Sequence, residues 1–114
     1  MRMLFLGDVM GRAGRSAVAE RLPGLRAAWG LDFVVVNGEN ATSGAGLSDA
    51  HASLLFEAGA DCVTLGDHAF DRPEMLSVIE RETRIVRPLN YAKTAPGRGA
   101  RVFETAAGKR VLVV

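Results

Sequence analysis

From Leu31 to Val36 every residue except Asp32 is apolar, and this run constrains the fold more than any other feature of the chain. A half-exposed strand alternates apolar and polar residues, whereas an unbroken run belongs to a strand covered on both faces, as in a parallel sheet between other layers. Shorter apolar runs at Met3–Leu6, Asp61–Leu65 and Ile85–Val86 read as its neighbours. Between the runs the period becomes helical. Val18, Leu22, Leu25 and Trp29 share one face of a helix over Arg15–Trp29, with Trp29 expected in the core and Pro23-Gly24 expected to kink or divide the helix. Ser48 is a good N-cap for a helix carrying Leu54, Leu55 and Ala58, and Gly59 is placed to stop it. Asp71 and Glu74 have capping-box spacing, with Pro73 in the first turn, ahead of Met75, Leu76 and Ile79. Tyr91–Ala100 is a loop, and Val102–Thr105 with Arg110–Val114 predicts a hairpin turned at Gly108. A βαβαβαβ series followed by a hairpin implies a layered α/β fold with right-handed crossovers.

The 114 residues suffice for one small domain. With 48% hydrophobic and 24% charged residues the composition is globular, which excludes a disordered chain. A formal net charge of +1 gives no broad basic field for nucleic acid. No segment approaches the roughly 20 apolar residues of a membrane span, and the apolar start is too short for an export signal. Cys62 is the single cysteine, so no internal disulfide forms, and it reads as a small buried hydrophobe. These features predict a soluble cytoplasmic protein, with a homo-oligomer left open. The chain stops on the apolar run Val111–Val114, so residues 1–114 are expected to be the N-terminal portion of a longer domain.

The polar residues collect at the strand ends. The first run ends in Gly7-Asp8, the second in Asn37-Gly38-Glu39-Asn40, and the third in Gly66-Asp67-His68. Ligands of open parallel sheets bind beyond the carboxyl ends of the strands, so Asp8, Glu39, Asn40, Asp67 and His68 should meet at one edge. Any one such Asp is more often a turn residue than a ligand. Three on consecutive strands favour a site, because crowded carboxylates repel unless a cation lies between them. Oxygen donors with one imidazole suit manganese, iron, zinc or magnesium. Arg12, Arg15 and Arg98 are candidate phosphate clamps, since guanidinium matches phosphate geometry. His51, away from the strand ends, reads as a helix-start residue. A different class also fits: Gly7, Gly11 and Gly14 could form a phosphate loop of a non-catalytic nucleotide- or metal-binding regulatory protein, although their spacing departs from the dinucleotide fingerprint.

Gly7-Asp8-Val9-Met10-Gly11, Asn37-Gly38-Glu39-Asn40-Ala41, Thr64-Leu65-Gly66-Asp67-His68 and Pro96-Gly97-Arg98-Gly99 together resemble the successive motifs of YmdB-type metallophosphoesterases, in the calcineurin-like superfamily. The resemblance runs the length of the chain and covers about the first half of that family's usual length. It implies a layered α/β/β/α fold, here in its N-terminal half, and a dinuclear centre of two divalent metal ions that hydrolyses a small-molecule phosphodiester, a 2',3'-cyclic nucleotide. By position it implies Asp8 and Asn40 on one ion, Glu39 between the two, Asp67 on the second, and His68 as the acid-base residue. Two departures stand out. The family has Asn where this chain has Asp67, and the histidines it contributes from its C-terminal half are absent. The resemblance therefore implies weak metal binding and little turnover for these 114 residues alone.

Overall fold

The computed structural model describes residues 1–114. Four parallel strands lie in the order β1 (Met3–Leu6), β2 (Phe33–Asn37), β3 (Cys62–Thr64) and β4 (Ile85–Val86). Helices α1 (Gly11–Trp29), α2 (Asp49–Ala58) and α3 (Met75–Arg81) make the crossovers. An antiparallel hairpin, β5 (Arg101–Glu104) and β6 (Arg110–Val113), follows.

β2 is central, and its side chains divide the core. Val34 and Val36 face the helices with Val18, Leu22, Leu55 and Ile79, whereas Phe33 and Val35 face the other way with Cys62, Val86 and Val111 of the hairpin. Burial on both faces is what the unbroken apolar run requires. Cys62 is fully buried, and burial pushes its thiol up to about 12. The hairpin covers β2, β3 and β4 but leaves β1 bare: Met3 and Phe5 are 51% and 64% exposed on that face.

The caps of α2 form as expected, with Ser48 Oγ accepting from His51 N at 3.2 Å and Gly59 closing the helix at φ 119°. The hairpin turns at Gly108, whose φ of 76° suits glycine. Beside Gly59, Arg26 Nη1 donates to Gly59 O and to Asp61 Oδ2, each at 2.6 Å, and Asp61 Oδ2 also accepts from Val34 N at 2.8 Å. One carboxylate thus fixes α1, the α2–β3 turn and β2.

Three sequence expectations need correction. α1 begins at Gly11 and runs unbroken through Pro23. Pro23 lies on the exposed face, so water can satisfy the Ala19 carbonyl that lacks its N–H partner. Trp29 is 50% exposed rather than core. A helix of 19 residues is roughly 28 Å long, whereas a strand of four or five residues covers roughly 13–17 Å, so the last turn overhangs the sheet. Finally, Asp71 and Glu74 form no capping box, because α3 starts at Met75 without a side-chain cap. Their carboxylates have other partners: Asp71 Oδ2 bonds the His68 ring, and Glu74 Oε2 accepts from Asp49 N.

Two adjacent positions of α1 should respond oppositely. Leu22, 1% exposed, is expected to lose about 2–5 kcal/mol as Leu22→Ala. Pro23→Ala restores a helix N–H on the solvent side and should stabilise by up to about 3 kcal/mol. Urea denaturation of both variants checks the pair, and matching signs would refute this account of the helix.

Candidate metal centre

Backbone hydrogen bonds beyond the strands carry the register into the loops. Val9 N donates to Asn37 O, Gly11 N to Asn40 O and Gly38 N to Thr64 O, at 2.9 to 3.1 Å. The loop after β2 is thereby held between the loops after β1 and β3. Its own turn is closed by Thr42 N to Gly46 O and Gly46 N to Glu39 O.

The strand-end side chains make two junctions. Asn40 Nδ2 donates to Asp8 Oδ2 at 3.1 Å and Oδ1 at 3.3 Å, joining the first and second loops. Glu39 accepts from Asn37 Nδ2 at 3.3 Å and from His68 N at 3.4 Å, joining the second and third. Gly66 makes the second junction possible, since a Cβ there would overlap both Glu39 carboxylate oxygens. Asp67 projects outward, its side chain 87% exposed and its Oδ2 3.9 Å from His68 Nε2.

These donors match a divalent cation in kind. Asn40 Oδ1 is buried and has no partner, and a buried unpaired amide oxygen costs about 1–3 kcal/mol unless something binds it. Carboxylate and amide oxygens with an imidazole beside them are the donors hard divalent ions take. They make two junctions rather than a closed cage, and no three His, Cys, Asp or Glu side chains converge on one point.

His68 is oriented from behind. Its Nδ1 lies 2.7 Å from Asp71 Oδ2, which leaves Nε2 facing outward. The hydrogen bond to Asp71, and then the charge of Asp67, raises the ring pKa above its usual 6.5. The other histidine, His51, has no part here. Its Nδ1 lies 2.7 Å from Thr42 Oγ1, and burial followed by the charges of Arg15 and Arg72 lowers its pKa.

Arg12 and Arg15 share the start of α1, whereas Arg98 lies on the β4 side. Arg15 Nη1 donates to Ala41 O at 2.6 Å and braces the second loop. Arg12 is exposed in the first turn of α1. Arg98 bridges Val86 beside β4 and lines clefts that include none of Asp8, Glu39 or Asp67. Two further side chains support the site: Asp71, which the sequence offers as a prop for His68 as well as a cap, bonds the His68 ring, and Tyr91, which the sequence offers only as a cleft-lining residue, donates its hydroxyl to Gly66 O at 2.9 Å.

The parallel sheet with acidic loops along one edge is the N-terminal half of the layered metallophosphoesterase fold. Known proteins agree. The profile of the YmdB-like protein family matches residues 4–114, and the chain belongs to that family. Over 114 residues it is 39% identical to the 2',3'-cyclic-nucleotide 2'-phosphodiesterase of Bacillus subtilis, covering all of this chain and 43% of the relative. A crystal structure of a hypothetical protein from Thermus thermophilus superposes with a TM-score of 0.90 at 44% identity, over 98% of this chain and 43% of that one. A phosphatase from Mycoplasma pneumoniae superposes with a TM-score of 0.80 at 41% identity, over 88% of this chain and 37% of that one. The chain thus spans about two fifths of the length of these relatives.

Two outcomes follow from the geometry. Gly66→Ala should displace the Glu39 carboxylate, seen as a change in the His68 amide shift in NMR spectra, while Gly24→Ala, with open space around it, should leave that shift unchanged. Asp71→Asn should bring the His68 pKa back toward 6.5. Because the folded pKa lies above the unfolded one, the stabilisation from protonated His68 is complete below about 6.5 and disappears as pH rises through the folded value. The stability difference between wild type and Asp71→Asn should therefore shrink with rising pH; a difference that widened would contradict the assignment.

Proposed function

We propose that this chain carries the first metal-binding loops of a cytoplasmic phosphodiesterase acting on 2',3'-cyclic nucleotides. The observation that carries the reading is the junction of three consecutive strand ends, Asp8 with Asn40 and Glu39 with His68, at one edge of the sheet. The name of the Bacillus subtilis relative supports the substrate class. No helix is long and apolar enough to cross a membrane.

In this reading Asp8, Glu39, Asn40 and Asp67 would hold two divalent ions, and manganese, iron, zinc and magnesium all suit such donors. Such ions supply positive charge for the phosphoryl oxygens and acidify water. The chain's own chemistry centres on His68. With Nδ1 tied to Asp71, its proton for donation sits on Nε2. The hydrogen bond to Asp71 favours the protonated ring, which gives that proton to the ribose oxygen as its bond to phosphorus breaks. Asp67 adds a negative charge where the resemblance places an amide, which strengthens the hold on a cation and weakens its pull on the phosphate.

Manganese titrated into the chain should broaden the NMR signals of Asp8, Glu39 and Asn40 before any others, and Glu39→Gln should abolish that selectivity. With 2',3'-cyclic AMP, turnover should be slow and should fall further as His68→Ala. Asp67→Asn should weaken manganese binding while raising turnover. Broadening spread evenly over all carboxylates would sink the metal assignment, and Asp67→Asn with no effect on either quantity would favour a non-catalytic regulatory role.

A further inference from the structure

The loop between β4 and β5 borders an open cationic cleft whose lining includes none of the acidic strand-end residues. Arg87 follows β4 directly and is only 7% exposed. Its Nε donates to Pro96 O and its Nη1 to Pro88 O, both at 2.9 Å. Both acceptors are neutral. The carboxylate ion pairs of the molecule use Arg26, Arg81, Arg84 and His68, and none includes Arg87. A buried guanidinium without a counter-charge is costly, and anything anionic that reaches it is bound correspondingly well. Nη2, which makes no hydrogen bond within the protein, is the nitrogen left to do so.

Arg87 lines a cleft of about 430 Å³ together with Lys93, Arg98, Tyr91 and the backbone at Gly97 and Gly99. No acidic residue lines it. Glu80 accepts from Gly97 N but belongs to the neighbouring depression beside Ile79 and Thr83. Lys93 and Arg98 are exposed and form no ion pair. The floor depends on bare backbone: a Cβ on Gly99 would overlap Leu89 and sit 3.1 Å from Arg87 Nη1. Tyr91, in the wall, donates to the carbonyl of Gly66, the residue before Asp67. Tyr91 therefore links the cleft to the loop that carries Asp67 and His68.

We propose that this cleft is a binding site for a phosphoryl anion distinct from the ester hydrolysed at the acidic edge. Arg87 and Arg98 offer planar donors that match phosphate oxygens, and Lys93 adds a mobile point charge. The anion site stands on the cleft's own geometry; only its role beside a scissile ester rests on the phosphodiesterase reading. The shared chemistry fits a terminal phosphate on a nucleotide ester and also free inorganic phosphate.

NMR titration of the metal-free protein with inorganic phosphate, with the dinucleotide TpT and with its 5'-phosphorylated form pTpT tests the proposal. No hydrolysis takes part, so failure here leaves the phosphodiesterase reading standing, and the reverse also holds. Inorganic phosphate should shift the Arg98, Gly99 and Ala100 amides saturably. Arg98→Gln and Lys93→Gln, both exposed and tolerable to the fold, should each weaken that binding by about tenfold, with Arg98→Lys retaining part of it. Tighter binding of pTpT than TpT, lost in the same variants, identifies the nucleotide end as the source. Equal binding of the two alongside saturable phosphate identifies the free anion. Shifts spread over all basic residues, no saturation across a millimolar titration, or unchanged binding in Arg98→Gln would overturn the proposal.

Discussion

The rest of the molecule depends on β2 being hydrogen-bonded along both edges and buried on both faces. Its register against β1 and β3 pairs Leu6 with Val36 and Asn37 with Thr64, so the three strands end nearly level. The backbone bonds from Val9 to Asn37 and from Gly38 to Thr64 extend that alignment past the strands. Parallel pairing points every strand's carboxyl end the same way, and a slip of one residue would turn each apolar side chain to the opposite layer. The acidic tips are therefore held together by hydrophobic burial two or three residues upstream, not by attraction among themselves.

Much of this was legible in the sequence because it is local. Leu31–Val36 announces a doubly buried strand, Ser48 and Gly59 mark the ends of α2, and each Gly-acid dipeptide marks a strand tip. What the sequence concealed depends on tertiary partners. Asp71 and Glu74 satisfy the spacing of a cap, yet which donor each carboxylate meets was decided by His68 and by Asp49 N, and helix-end statistics contain neither. Trp29 lies on the right face of α1 but beyond the reach of the sheet, since periodicity fixes direction and says nothing of what lies opposite. The early start of α1 likewise answers to the bond from Gly11 N to Asn40 O, a contact across 29 positions. Arg12 and Arg98 are candidates by guanidinium chemistry, which carries no information on position; in space Arg98 lies on the β4 side and shares a cleft with Lys93.

The two sides of the His68 ring illustrate how burial and exposure divide labour. Nδ1 is committed to Asp71, a carboxylate on the same short loop, so the ring is oriented without help from distant elements. Nε2 faces Asp67, whose side chain is nearly free in solvent and so exerts its field through water. The inner contact sets geometry and the outer one tunes charge. Thr42 performs a comparable service for the second loop: its hydroxyl takes Ser48 N at 2.8 Å and meets His51, tying the loop that bears Glu39 and Asn40 to the start of α2.

Gly66 gives the acidic edge an unequal capacity to diversify. The space that any larger residue would need there is already filled by a carboxylate from another strand, so that position is closed to drift while Glu39 remains. Its neighbour at 67 touches almost nothing and can exchange one polar group for another without disturbing the scaffold. Variation among sequences built on this frame should therefore accumulate at position 67 while position 66 stays fixed, through steric exclusion alone.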